Sequence, residues 1–199
     1  VPTVTYRHQA GLPKGLEPEE VRRILTSCDT ASDNGVRDLA ILTLLVRLGL
    51  RRCEVSRLGL DDIDWRAGTI CVHGKGNCLE RLPLPVDVGH YLAQYLRHAR
   101  PAKARGRTVF VRHFAPYNAL SASRVSTIVA DAARRAGVGR VHAHRLRHTA
   151  ATQLLRAGAS LPEVGQVLRH RRAQTTAIYA KVDRDTLRMI AGPWPEDAQ

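Results

Sequence analysis

The sequence predicts an α+β domain, mainly α-helical, with a small three-stranded antiparallel sheet on one edge. Three observations predict it. Most of the chain carries apolar residues at the i, i+3, i+4 spacing of helices buried on one side. Between residues 60 and 84 the period changes to two, with turn residues between the apolar runs. The chain is 44% hydrophobic over 199 residues, enough to bury one core, and it has no internal repeat or low-complexity segment.

Residues 1–15 contain Pro2, Gly11, Pro13 and Gly15 and read as an extended linker. Pro18, followed by Glu19 and Glu20, opens a helix with Val21, Ile24 and Leu25 on one side. Asp33 or Asn34 caps a second helix, whose run from Leu39 to Leu48 is too short for a bilayer and contains Arg47, so it is a buried helix closed by Gly49. The next helix, from Leu50 to Leu58, has basic residues at its start. Cations there oppose the helix dipole unless a carboxylate offsets them, and Glu54 stands three residues from Arg51 to do so.

Three short strands follow at Ile63-Asp64-Trp65, Thr69-Ile70-Cys71-Val72 and Glu80-Arg81-Leu82-Pro83-Leu84, turning at Arg66-Ala67-Gly68 and Gly74-Lys75-Gly76-Asn77. The second turn lacks P-loop spacing and is read as a hairpin tip carrying an ammonium. Val88, Tyr91, Leu92, Tyr95 and Leu96 form a helical stripe, which makes both tyrosines core residues. A basic loop from Arg100 to Arg107 leads to apolar Val109-Phe110-Val111. Ser123 then caps a helix with Val125, Ile128, Val129, Ala132, Ala133 and Ala136 on one face, ending at Gly137.

The last third is the most constrained. On a helix, His144, Arg147, His148, Ala151 and Leu155 share one face, while Leu146, Ala150, Gln153, Leu154 and Ala157 share another, so one face packs and the other presents cations. Gly158 ends this helix. Ser160-Leu161-Pro162-Glu163 is a capping box for a short helix with Leu161, Val164 and Leu168 inward, and His170 follows it. After Arg171-Arg172-Ala173-Gln174, Thr175 caps a helix carrying Tyr179.

Charge points to a polyanion. The formal net charge is +13, from 31 basic and 18 acidic residues. Nucleic acid is the first candidate and an acidic membrane surface the second. Of the basic residues 27 are arginine, which also fits a GC-rich coding sequence. Cys28, Cys53, Cys71 and Cys78 show no Cys-x-x-Cys spacing and are expected as reduced thiols in a cytoplasm. An Arg-rich surface without an acidic cluster suits direct binding of a phosphodiester better than Mg2+ coordination, since two guanidiniums can neutralise the charge a metal neutralises elsewhere. A metal-free route then needs a protein nucleophile, and a tyrosine beside cations suits it.

Leu48-Gly49-Leu50-Arg51-Arg52-Cys53-Glu54, Gly74-Lys75-Gly76-Asn77, His144-Arg145-Leu146-Arg147-His148, Leu168-Arg169-His170 and Thr175-Thr176-Ala177-Ile178-Tyr179 resemble, in order and spacing, the catalytic domain of tyrosine recombinases, the phage integrases. The resemblance covers roughly residues 15–190. It implies Arg51 and Arg147 as a phosphate clamp, Lys75 as general acid to the leaving 5′ oxygen, His144 in proton transfer, His170 as a hydrogen-bond donor to the transition state and Tyr179 as nucleophile. It implies a covalent 3′-phosphotyrosyl link, which keeps the bond energy, so no ATP, cofactor or metal is expected. Double-stranded DNA is the expected partner, with Arg52, Arg145, Arg169, Arg171 and Arg172 as further DNA contacts and a homotetramer as the assembly on DNA. Residues 1–15 are then the linker from a missing N-terminal core-binding domain, and 16–199 the catalytic domain. Where the family usually has Leu-Gly-His, this chain has Leu168-Arg169-His170. Either the backbone before His170 differs or Arg169 adds a phosphate contact.

Each residue has a plainer reading. Arg51 pairs only with Glu54, Lys75 is a solvated turn lysine, Tyr179 packs on a terminal helix, and His142, His144 and His148 suggest zinc but lack matching ligands. The joint occurrence of all six catalytic-type residues favours a DNA strand breaking and rejoining enzyme. The alternatives are relaxation of DNA in the manner of a type IB topoisomerase and a non-catalytic DNA-binding module.

Overall fold

In the computed structural model, residues 15–74 and 79–169 are described. The hairpin tip with Lys75, the helix expected to carry Tyr179, and His170, Arg171, Arg172 and residues 1–14 lie outside them. The expected architecture is what the chain adopts. Seven α-helices and one three-stranded sheet are seen among the described residues: α1 (Pro18–Thr26), α2 (Asp33–Arg47), α3 (Arg52–Arg57), β1 (Ile63–Asp64), β2 (Thr69–His73), β3 (Leu79–Pro83), α4 (Val86–Gln94), α5 (Ala122–Arg135), α6 (Ala143–Arg156) and α7 (Leu161–Val167).

The centre of the fold is α2. It is apolar nearly all round, and Leu39 through Val46 are buried without interruption, so it must be covered on every side. Helices α1, α3, α4, α5 and α6 do this. Its N-cap is Ser32, whose hydroxyl accepts from Gly35 N at 3.1 Å. Asp33, expected as a cap, is instead the first helical residue. The hydroxyl wins because it sits where the first free N–H groups point, while Asp33 still serves the dipole from the first turn. A similar shift occurs at α5. Ser121 caps it, accepting from Arg124 N, and Ser123, the expected cap, lies inside the first turn and bonds Ser121.

The sheet has the order β1-β2-β3, all antiparallel, with Ile63 opposite Ile70 and Ile70 opposite Leu82. Ile63, Ile70 and Val72 face the core, and alternate residues face outward, as period two requires. Helix α4 continues without a break into a π-wound turn, Tyr95–Ala99, which the apolar stripe does not distinguish from α-helix. Tyr95 is fully buried, stacked on Phe110 with ring centroids 5.4 Å apart, and its hydroxyl accepts from Val111 N at 3.3 Å. Val109 to Val111 are buried but join no sheet, and Val109 N donates instead to Leu58 O at 2.8 Å.

Helix α6 departs from the expected two-faced arrangement. Leu146, Arg147, His148, Thr149, Ala150 and Ala151 are all buried, so the face carrying His144, Arg147 and His148 is not an open cationic surface. The reason is location: α6 is covered by α2 on one side and α7 on another. Thr149 also accepts from Leu16 N at 2.9 Å, tying the start of the described chain to the helix.

Candidate active site

Two helix starts and one helix end build the site. Helix α2 ends at Leu48, and Gly49 takes a left-handed φ of 56°, reversing the chain into the extended N-cap Arg51 of α3. Glu54, in the first turn of α3, reaches back to accept from Arg51 N at 2.7 Å and from Arg51 Nη1 at 2.6 Å. That carboxylate answers the cations at this helix start, and it orients Arg51 as the spacing suggests.

The start of α6 faces the start of α3 across a cleft of about 210 Å³ lined by Leu50, Arg51, Arg52, Cys53, Ala143, His144 and Arg147. Three of the expected catalytic residues therefore meet: Arg51, His144 and Arg147. The turn that follows α7 anchors both arginines through its backbone carbonyls. Arg147 Nη1 donates to Gly49 O at 2.6 Å and its Nη2 to Leu168 O; Arg51 Nη2 donates to Arg169 O at 3.2 Å. Both guanidiniums are thereby held by backbone from distant parts of the chain. Arg51, its side chain 36% exposed, lines the cleft and uses only part of its five-donor fork on these bonds.

His144 lies on the cleft rim, its ring edge against His148 with the two Nε2 atoms 2.8 Å apart. Partial burial, then the charges of Arg147 and Arg51, hold His144 below the ordinary imidazole pKa. Burial, His144 and Arg147 together push His148 down to about 4. Both rings are neutral at neutral pH, so one donates to the other and His144 can accept a proton. The i, i+4 spacing put these two rings on one face in sequence; the bond between them was not anticipated. Among the described residues no group of three or more His, Cys, Asp or Glu is placed to hold a metal.

Of the expected DNA contacts, Arg52 is exposed on the cleft and donates to Ser126 Oγ at 3.3 Å, and Arg145 is half-buried at the start of α6. Arg169 is placed otherwise. Its side chain is 1% exposed and its Nη2 donates to Glu54 Oε2 at 2.8 Å. The guanidinium that was expected either at a phosphate or beside altered backbone is spent on a carboxylate 115 residues away. No local pattern signals that pairing.

The phage integrase family model matches residues 14–185 of the chain. The chain is similar to a putative integrase/recombinase, y4rA, of Sinorhizobium fredii, with 47% identity over 202 residues that cover 100% of this chain and 49% of that protein. It is similar to the tyrosine recombinase XerD of Listeria innocua, with 35% identity over 94% of this chain and 64% of that protein. It thus spans about half to two thirds of the length of these relatives. Among solved structures, XerA recombinase shares the fold with a TM-score of 0.80 at 24% identity, over 96% of this chain and 68% of that one. XerH site-specific recombinase, in a post-cleavage complex with a palindromic difH substrate, gives a TM-score of 0.77 at 26% identity, over 93% of this chain and 54% of that one. The ordered motifs, the fold and the family match agree, and the chain belongs to the phage integrase family.

Proposed function

We propose that this chain is the catalytic domain of a site-specific recombinase that cleaves and rejoins double-stranded DNA through a 3′-phosphotyrosyl intermediate. The observation that carries this reading is the convergence of Arg51, Arg147 and His144 on one cleft. In the proposed step the Tyr179 oxygen bonds to phosphorus, the bond from phosphorus to the 5′ oxygen breaks, and Lys75 protonates that oxygen. His144, neutral at working pH, takes the phenol proton directly or through water. Arg51 and Arg147 neutralise the charge that builds on the non-bridging oxygens, and His170 adds a hydrogen bond there. The reverse attack by a 5′-hydroxyl of another strand releases Tyr179 and restores a phosphodiester, so the bond count is conserved and no nucleotide cofactor is consumed.

Exchange between two duplexes cuts four strands, and one tyrosine per protomer then calls for a homotetramer on DNA. Because the bacterial relatives above are integrases and recombinases, the cytoplasm is the proposed working compartment. Among the described residues no helix is long and apolar enough to cross a membrane. The test is capture of covalent protein-DNA adducts from a pool of nicked duplexes with randomised cores, followed by peptide mapping. The expected adduct maps to Tyr179, and Tyr179→Phe forms none while binding DNA as before. An adduct on Tyr91, Tyr95 or Tyr117 refutes the assignment.

A further inference from the structure

We propose that Arg169 is a positioning residue: through the buried carboxylate of Glu54 it fixes the Arg51 guanidinium and, with it, the backbone that leads into His170. The role rests on the reading of Arg51 as a phosphate ligand.

The bonds close a ring. Glu54 Oε2 accepts from Arg169 Nη2 at 2.8 Å, and Glu54 Oε1 accepts from Arg51 Nη1 at 2.6 Å. Arg51 Nη2 returns to the backbone oxygen of Arg169 at 3.2 Å. Arg169 Nη1 also donates to Val167 O at 2.9 Å, placing a cation at the carbonyl end of α7. Every member except Arg51 is closed off from solvent: the Arg169 side chain is 1% exposed and that of Glu54 2%. Two features show that the arrangement is held against a cost. Arg169 adopts a φ of 56°, a left-handed conformation that disfavours side chains, and its Nε is buried with no partner.

The charges explain what is gained. A carboxylate paired with Arg51 alone would cancel the charge the phosphate needs; with two guanidiniums on one carboxylate the group keeps a net positive charge. Burial raises the Glu54 carboxyl, but the charge of Arg169 and the bonds from Arg51 outweigh it and hold Glu54 below the ordinary carboxylate range. Glu54 is therefore ionised at neutral pH and holds Arg51 in place through its hydrogen bonds. The left-handed backbone suits glycine, and glycine is what the family resemblance leads one to expect here. The arginine keeps that backbone and adds a second cation.

The test compares Arg169→Gly, which the backbone favours, and Arg169→Lys, which keeps a cation, with the unaltered chain. Two measurements are made on each. The first is titration of the Glu54 carboxyl by 13C NMR, with Glu54→Gln to assign the signal. The expected result is an upward move of the Glu54 midpoint by about one unit or more in Arg169→Gly, with at least half of it reversed in Arg169→Lys. The second is the rate of adduct capture at saturating DNA against pH. Arg169→Gly is expected to lose rate as pH falls towards its raised Glu54 midpoint, about one unit or more above the pH at which the unaltered chain does so, and Arg169→Lys to reverse at least half of that displacement. An unmoved Glu54 titration overturns the proposal, as does a moved titration with an unchanged rate profile. If the unaltered chain forms no adduct on any DNA, the recombinase reading fails instead, and the titration still decides whether Arg169 governs Glu54.

Discussion

Gly49→Ala tests whether the junction between α2 and α3 is as tight as the geometry indicates. An alanine Cβ at this position would stand 2.7 Å from Leu168 Cδ2, about 1 Å inside a normal carbon-carbon contact. Leu168 is fully buried in a cluster with Val164 and Ala151, so its methyl group can yield only by shifting within that packing. Overpacking of this kind costs about 1–3 kcal/mol. The φ of 56° adds about 1–2 kcal/mol for a side chain, and stiffening of the unfolded chain returns about 0.4–1 kcal/mol. The expected net loss is about 1–4.5 kcal/mol. Gly68→Ala is the control, because Gly68 has a φ of 62° but nothing within 4 Å of a built Cβ; it carries the backbone cost without the clash. Urea unfolding followed by circular dichroism, with matched slopes, measures both. If the two variants agree within about 0.5 kcal/mol, the close approach to Leu168 has no energetic weight and the reasoning fails. Because Arg147 bridges Gly49 O and Leu168 O, the same substitution is expected to slow adduct formation.

Three further outcomes are expected. His148 has a folded pKa near 4 against an ordinary 6.5, so the unfolded chain binds the extra proton; its contribution is whole above about pH 6.5 and is lost as pH falls towards 4, by up to about 3 kcal/mol. His148→Gln should flatten that part of the stability profile, and equal slopes in both proteins would contradict a neutral buried imidazole. Arg147→Lys keeps the charge but not the two-carbonyl bridge, so unfolding free energy should drop by about 2–3 kcal/mol and adduct formation should slow more than DNA affinity weakens; an unchanged stability would show that the bridge carries no load. DNA affinity measured by fluorescence anisotropy should fall by orders of magnitude between about 50 and 200 mM salt, given a net charge of +13, and a flat response would rule out phosphate contacts as its source.

The fold was legible where one residue's neighbours in sequence are also its neighbours in space. Periodicity located α1, α2, α5 and α6, and the change of period located the sheet, because each pattern reflects a face turned to the core. The caps were off by one to two residues at α2 and α5, where several small polar residues compete and only the backbone angle selects Ser32 and Ser121. The site was legible as residue types, and Glu54 was legible as a partner for Arg51 because three residues separate them. The pairing of Arg169 with Glu54 was not, since a bond across 115 residues leaves no periodic trace. Nor was the burial of α6 on two sides, for the cover comes from α2 and α7 and not from its own spacing.

The bonds that assemble the cleft also dictate when it can exist. Arg147 to Gly49 spans 98 residues, Arg169 to Glu54 spans 115 and Arg51 to the Arg169 carbonyl spans 118. Closing such loops costs chain entropy before any contact repays it, so these contacts belong to the late part of folding. During synthesis at about 5–20 residues per second, α2 and α3 are made several seconds before α6 and α7. Through that interval Glu54 has Arg51 but not Arg169, and Arg51 lacks its carbonyl anchor. A nascent chain holds the first half of the cleft without the second, and on the proposed reading it can grip DNA only once residue 169 has cleared the ribosome and swung back onto α3.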